Sequence, residues 1–527
     1  MALLGVGGGA SLAMLSPDLR ALAQSRKETL VIGLDISDTT NLDPVRDLHY
    51  TPPMTISACY ECLVTMAPGE YINVKPLLAT KWARTPDGKG WRFTLRPNVR
   101  FVSGNPMTAH DVKFSLDRVR NIRYQAAQYL ENVEAVTVVD DMTVDVILKK
   151  PEEPILTILA APSFAVTDSK EVTSRGGVTT PDAKEKDKAT EPLNQNSAGT
   201  GAYRLVGWTR NSVIQMVANP NYWGGKPAFQ RVVIRHFEDG AAQLLALRRG
   251  DIDVAFNLLP EQIATLKDDK ETWIHGLTSL DFVYLALTHN PEFNKALAIK
   301  KARQAIAWAI DYEGITKSLL GGAATRSASF IPVGCLGSTE EVTKRIGYRQ
   351  DLDRAKKLLE EAGLPDGFEF EVIYGTGNVA GTSYRIIGQK VQADLERVGI
   401  RMKVNPMPQV NVRTLYNGGK MSSVITYWNP PAVENALWAW ATVQRVAKRL
   451  HWKPPQELVS LVDQAAIETD LKKQEALYLK YQEAMVEEAN LIVLFQPIYQ
   501  IGVRRSIKDL PLTAAGWQLD IRDVKPT

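Results

Sequence analysis

Cysteine and histidine are scarce in this 527-residue chain, at three and six, and the scarcity narrows the chemistry it can carry. Cys59 and Cys62 form a C-x-x-C, a spacing that serves redox chemistry, half a metal site or nothing. No second C-x-x-C exists and Cys335 is remote in sequence. The surrounding MTISACYECLV reads as an amphipathic helix start with small buried residues, so inert thiols are expected first, a local disulfide next and zinc last. His49, His110, His236, His275, His289 and His451 are never spaced as a ligand pair. No metal site and no cofactor are expected.

Charge imbalance is also missing. With 62 basic and 59 acidic residues the net charge is +3, and no Lys/Arg run marks a nucleic-acid footprint. After the N-terminus no segment approaches about 18 uninterrupted apolar residues, so a soluble mature chain is expected. Residues 1–23 differ: an uncharged apolar, Gly-rich stretch precedes Ala21-Leu22-Ala23, a small-x-small site for cleavage before Gln24. We read it as a signal peptide whose positive residues, and hence true start, lie upstream.

What is present is enough apolar residue, 45%, to build large cores, and a length that suggests two to four domains. TLVIGL (29–34) reads as a strand, followed by a long Asp- and Pro-rich loop of the kind that is commonly functional. GWRFTLRPNVRF reads as a hairpin turning at Pro97-Asn98. Thr108 with Asp111 is a capping-box start for a helix, and VEAVTVVDDMTVDVIL reads as two strands. Residues 168–198 are polar and charged, a surface excursion or a linker. FQRVVIRHF, AAQLLALRRG and DIDVAF follow as strand, helix and strand, the order of a parallel sheet.

In the second half, residues 299–322 place Ile299, Ala302, Ile306, Ile310 and Leu319 near one helical face. A helix capped by Asp351 or Asp353, strand FEFEVIY, a stripe of Ile387, Val391, Leu395 and Val398, and strand IRMKV complete a second α/β pattern. Two α/β lobes are expected.

One segment raises a separate question. VITYWNPPAVENALWAW (424–440) gathers Tyr427, Trp428, Trp438 and Trp440 around Pro430-Pro431. Four open rings would expose roughly 600 to 1,000 Å², beyond the roughly 300 to 600 Å² of the largest patch on a typical monomer. Either the fold or a transient partner covers them.

The segments LLATKWARTPDGKGWRFTLRPNVRFVSGNPMTAHDVKFSLDRV, GTGAYRLVGW, NPNYWGGKPAFQRVVIRHFEDGAAQLLALRRGDIDVA, ARQAIAWAIDYEGITKSLLGG and RAKKLLEEAGLPDGFEF resemble, in the right order from about residue 28 to 505, the family 5 extracellular solute-binding proteins. The resemblance implies the two-lobe α/β fold of periplasmic binding proteins (type II), with an extra domain on lobe one and ligand enclosed between lobes. It implies lobe one at 24–61, 197–276 and 491–527, the extra domain at 62–196, and lobe two at 277–490, with crossings near SLDFVYLAL and ANLIVLFQ. Pro86-Asp87-Gly88, Asn219 to Trp223 and Gly250 to Asp253 are expected to be scaffold.

A closing receptor needs polar anchors on both lobes. In lobe one the candidates are Asp47, His49 and Tyr50, then Tyr60 and Glu61, and Asn257. In lobe two they are Tyr284 beside a crossing and Arg385 in the first turn of a helix, where the resemblance places a carboxylate-pairing arginine in dipeptide binders. Peptide-binding members have an Asp-rich turn for the ligand's α-ammonium where this chain has Trp428 to Glu434. Here Asn429 replaces any aspartate and Glu434 is the only acid, so Glu434 takes over or the ligand has no ammonium there. Tyr427, Trp428 and Trp438 are candidate stacking surfaces for sugar rings, opine carbons or apolar side chains.

The expected function is capture of a peptide-like or other small polar solute without catalysis, as a periplasmic monomer delivering to an ABC permease and its ATPase. Two alternatives stay open. A secreted hydrolase lacks every familiar catalytic motif, but paired carboxylates are a matter of three-dimensional separation. A nickel- or haem-binding receptor of the same fold is the other.

Overall fold

The computed structural model describes residues 26–46, 51–66, 74–150, 155–379, 382–428, 435–468, 470–513 and 519–527. Its backbone is a twelve-stranded mixed sheet shared by two α/β halves. Across it the strands run Arg401–Met407, Glu369–Gly375, Ser423–Trp428, Phe282–Leu287, Leu491–Arg504, Val254–Ala255, Thr29–Leu34, Arg231–His236, Val213–Ala218 and Tyr203–Thr209. Thr272–Thr278 and Ala324–Thr325 pair separately with Leu491–Arg504.

The local readings explain much of this. Thr29–Leu34 is buried at all six positions and runs parallel to both Arg231–His236 and Val254–Ala255, as the strand, helix, strand order predicts. The connecting helix Gly240–Arg249 stops because Gly250 adopts φ 79°, a left-handed conformation open to glycine without steric cost. Asp351 caps the helix Leu352–Glu361 by accepting the Arg354 N–H at 2.9 Å.

Two expectations fail for identifiable reasons. Residues 299–322 are not one helix: Lys300–Ala309 ends at an extended Ile310, and Asp311 accepts the Gly314 N–H at 2.8 Å, starting a separate wide turn at Gly314–Leu319. Aspartate competes for backbone donors in this way wherever a cap is available. The hairpin lies before Pro97, not around it. Gly90–Leu95 pairs back on Ala79–Arg84 and with Thr143–Leu148, while Arg100 makes only a bridge to Pro106.

Those strands, with Val133–Asp140, form a four-stranded antiparallel sheet covered by the helix Ala109–Ile122. Asp111 accepts the Thr108 N–H at 2.8 Å, the capping box expected there. The polar stretch 168–198 packs on this helix as a surface excursion rather than a linker. Val172, Ala189, Leu193 and Ala198 gather around Phe114.

Beneath it lies a fully buried charge cluster. Arg118 donates to Asp43 at 2.8 and 2.6 Å and to Asp187 at 2.8 and 2.9 Å, and Thr190 adds a bond to Asp43. One guanidinium thereby joins the loop after the first strand, the helix and the excursion. Removing Asp187 takes away two of the four bonds that satisfy the buried guanidinium and leaves those donors unpaired. Asp187→Ala should lower the unfolding free energy by about 3 to 5 kcal/mol. Lys186→Ala, which breaks only an exposed pair with Asp182, should leave the unfolding midpoint essentially unchanged, and urea unfolding of the two variants measures the contrast.

Candidate functional site

Chain crossings fix where the two halves can meet. The segment 279–281 links Thr272–Thr278 to Phe282–Leu287, and Leu491–Arg504 runs back across the same line, pairing with both. Gln496 stitches the crossing by donating to Ser279 O at 2.6 Å and Val333 O at 3.0 Å while accepting the Val333 N–H at 2.8 Å. Pro497, without an N–H, lets the ladder change partners here, and its carbonyl accepts from Ser279 Oγ at 2.8 Å.

The aromatic segment enters beside this line, and its strand splits it. Ser423–Trp428 pairs antiparallel with Phe282–Leu287, setting Trp428 opposite Phe282 and Tyr427 opposite Val283. Successive strand side chains take opposite faces. Trp428 therefore joins Phe330, at 5.2 Å between ring centroids, and through it Phe282 and Tyr284 at 4.5 and 4.9 Å. Tyr427 faces the other way.

On the Trp428 face the rings are largely structural. Tyr284 is buried and donates its hydroxyl to Tyr416 at 3.1 Å. Trp438 is 1% exposed and packs in the core, whereas Trp440 is 43% exposed. Arg445 sits 5.7 Å from the ring centroids of both Trp428 and Trp440 and 5.8 Å from that of Tyr129, and donates to Gln128 at 2.7 Å. It thus ties the turn Thr442–Val446 to the Gln125–Leu130 turn beside the antiparallel sheet.

On the Tyr427 face, charge converges from three elements. Burial raises the Tyr427 phenol, Arg413 of the helix Gln409–Asn417 opposes this by charge and hydrogen bond, and Asp281 and Asp38 raise it further. Tyr384 lies beside them, its phenol raised by burial and then by Tyr427. Asp281, at the crossing, is 7% exposed and accepts the Tyr499 hydroxyl at 2.6 Å. Burial pushes its carboxyl up to about 7, with the Tyr499 hydrogen bond opposing. The acids thus come from the loop and the crossing, the arginine from the helix Gln409–Asn417.

The loop that supplies Asp38 is fastened at both ends. Asn257 Oδ1 accepts the Asp35 N–H at 2.8 Å and a bond from Gln243 at 3.2 Å, and the Thr51 N–H reaches Asp38 at 3.1 Å. Asn257 is placed to position this loop. Tyr60 is 2% exposed and its hydroxyl accepts the Ala198 N–H at 3.2 Å. Glu61 is buried among Thr200, Trp223 and Arg522. Both therefore sit in internal contacts: the Tyr60 ring is core, and Glu61 accepts Thr200 and Trp223 through one oxygen and pairs with Arg522 through the other. Arg385 is exposed on the first turn of the helix Tyr384–Glu396, in electrostatic range of Tyr374. Asp47, His49, Tyr50, Asn429 and Glu434 lie outside the described residues.

The structure thus brings together Tyr427 and four residues that sequence reasoning missed: Asp38, Asp281, Arg413 and Tyr384. Asp281 alone left a signal, an acid directly before the apolar run FVYLAL. The three cysteines are free and buried, Cys62 donating to Ala161 O at 3.2 Å and Cys59 meeting Met216 sulfur at 3.6 Å. Burial pushes the Cys59 thiol up to about 12, the behaviour of an inert thiol. Among the described residues no group of three or more His, Cys, Asp or Glu could hold a metal ion, and no helix is long and apolar enough to cross a membrane. A hollow of about 970 Å³ beside Arg120, Arg123 and Lys149 is a separate surface feature, where Arg120 and Lys149 already bond to backbone carbonyls.

Residues 73–447 match the family described as bacterial extracellular solute-binding proteins, family 5. The chain belongs to this family. A probable D,D-dipeptide-binding periplasmic protein, DdpA, of Escherichia coli K12 is 27% identical over 491 residues, 92% of this chain and 91% of that protein. The dipeptide-binding protein of the same strain is 28% identical over 463 residues, 83% of each chain. Among solved structures, a dipeptide-binding protein of Pseudoalteromonas sp. SM9913 in complex with Met-Leu has a TM-score of 0.80 at 20% identity, covering 95% of this chain and 100% of the other. The two-lobe periplasmic-binding-protein fold is thereby shared.

In this family 5 protein the crossing carries a measurable cost. Because the folded Asp281 holds its proton up to about pH 7, well above its unfolded value near 3.9, its stabilising contribution is full below pH 4 and lost as pH rises through 7. Asp281→Asn mimics the protonated form. It should melt at or near the wild-type temperature at pH 4.5 and above it at pH 8.5, by up to about 4 kcal/mol of unfolding free energy, as thermal melts at the two pH values will read.

Proposed function

We propose that this protein captures a short peptide or a closely similar zwitterionic solute between its two lobes and delivers it, chemically unchanged, to an ABC permease and ATPase. The observation that carries the reading is the mixed charge in electrostatic range of Tyr427: the acids Asp38 and Asp281, and the guanidinium of Arg413. A zwitterion presents one charge to each. Closure is favoured only by a solute that touches both sides, and opposite charges at the two ends of one small molecule satisfy that condition. The dipeptide-binding names of the two Escherichia coli relatives support the same class.

The division of labour that fits this reading has lobe one at 24–61, 197–276 and 491–527, the extra domain at 62–196 and lobe two at 277–490. We place the protein in the periplasm as a monomer. Arg385, exposed at its helix start, is in this reading a second guanidinium for the carboxylate end, and Tyr427 the ring against which the solute packs.

A thermal-shift panel tests the solute class: L,L- and D,D-dipeptides, opines, oligosaccharides and nickel. A dipeptide at 100 times its dissociation constant should stabilise the protein by about 2.7 kcal/mol. A response confined to sugars or nickel, or none at millimolar dipeptide, overturns the reading.

A further inference from the structure

We propose that Asp281, at the crossing between the lobes, is the specificity-determining carboxylate that receives the cationic end of the solute, since the sequence from Asn429 to Glu434 holds no aspartate. This inference rests on the zwitterionic-solute reading above and adds to it the residue, and the end of the solute, that set selectivity.

Three independent features place Asp281 there. The first is register. Val283 stands opposite Tyr427, and Asp281 stands two residues earlier, immediately before the strand begins at Phe282. The carboxylate and the Tyr427 phenol are correspondingly in electrostatic range. The second is position. Segment 279–281 lies where the halves are joined, pinned by Gln496 and Pro497. The third is the way the charge is held. Asp281 is buried, yet the hydrogen bond to one of its oxygens comes from a neutral phenol, Tyr499, whereas Asp43 and Asp187 share a guanidinium.

The charged and titratable groups around it are few. Tyr499 faces it from the strand Leu491–Arg504 and Tyr427 from the strand Ser423–Trp428. Through Tyr427, Asp38 of the loop and Arg413 of the helix Gln409–Asn417 act on the same site. Asp38 contributes an acid from the loop after the first strand, and Arg413 a cation for the carboxylate end of the solute. An ammonium arriving at Asp281 stabilises the ionised form. Binding therefore expels the proton that burial holds there up to about pH 7.

A titration calorimetry series separates this role from a purely structural one. The probes are L-Ala-L-Phe and D-Ala-D-Ala, each free and N-acetylated, titrated at pH 6.5 in two buffers of different ionisation enthalpy. The wild type should prefer the free amine by about 30-fold or more and release a sizeable fraction of one proton on binding it, with none released by the acetylated form. Asp281→Asn should reduce the preference to less than about 3-fold and abolish the proton release. Tyr499→Phe, which keeps the carboxylate, should retain the preference.

Retention of the full free-amine preference by Asp281→Asn overturns the proposal. So does binding of the free dipeptide by wild type with no proton released, a measurement that needs no variant to fold. Absence of binding by any of the four probes to wild type overturns instead the peptide reading beneath it. A structural hinge role would weaken free and acetylated probes alike in Asp281→Asn, and that result also counts against the proposal.

Discussion

Everything about the site depends on one strand belonging to both halves of the molecule. Leu491–Arg504 pairs with Phe282–Leu287 at its start and with Thr272–Thr278 at its end, so the halves cannot separate without breaking the ladder on which both are built. Relative motion is confined to the places where the ladder is already irregular. These are the register shift at Val283/Tyr284, the 279–281 segment and Pro497. A hinge made of a few element-terminal residues is the usual device for domain closure. For a closure of that kind, groups at the crossing would move less than those on the Asp38 loop and the Arg413 helix.

The electrostatics follow from that geometry. Two kinds of buried carboxylate occur in the same chain. Asp43 and Asp187 are compensated by a guanidinium with four hydrogen bonds, and their burial ties three segments together. Asp281 accepts from a phenol, which stabilises an anion far less than a cation does. A fold built for stability alone would favour the first arrangement. A strongly shifted acid at a junction between lobes is the kind of local cost that accompanies binding sites, where the missing countercharge is brought by the ligand.

How much of this is written in the sequence depends on the range of the interaction. The strand Thr29–Leu34, the Asp111 capping box, the Gly250 stop and the Asp351 cap are decided within four residues, and local pattern reads them. The break at Ile310 and the turn after Asn98 are also local, but there a polar side chain or a neighbouring strand outcompetes the periodic signal. The stretch 168–198 reads as a polar excursion, and what pins it, Arg118, lies far away in the chain. The site is harder still. Asp281 and Tyr427 are 146 positions apart by number, and only the pairing of Phe282–Leu287 with Ser423–Trp428 brings them within electrostatic range. Tyr60 and Tyr284 look like anchors in sequence because a tyrosine carries a hydroxyl, but Ala198 and Tyr416 pair with those hydroxyls inside the core.

The cluster 424–440 shows why a composition argument could not decide between core and cleft. Its rings do both, divided by strand alternation at adjacent positions. Trp428 and Trp438 belong to the apolar body that continues into the antiparallel-sheet region, and Arg445 clamps that face to Tyr129 and Gln128. Tyr427 lies on the opposite face, among the charges. A closed arrangement held on one face by protein contacts alone would need no solute. The other face is where a solute can bias closure: the buried Asp281 and the half-buried Asp38 both raise the Tyr427 phenol while Arg413 opposes them, and a charged solute entering there changes that balance.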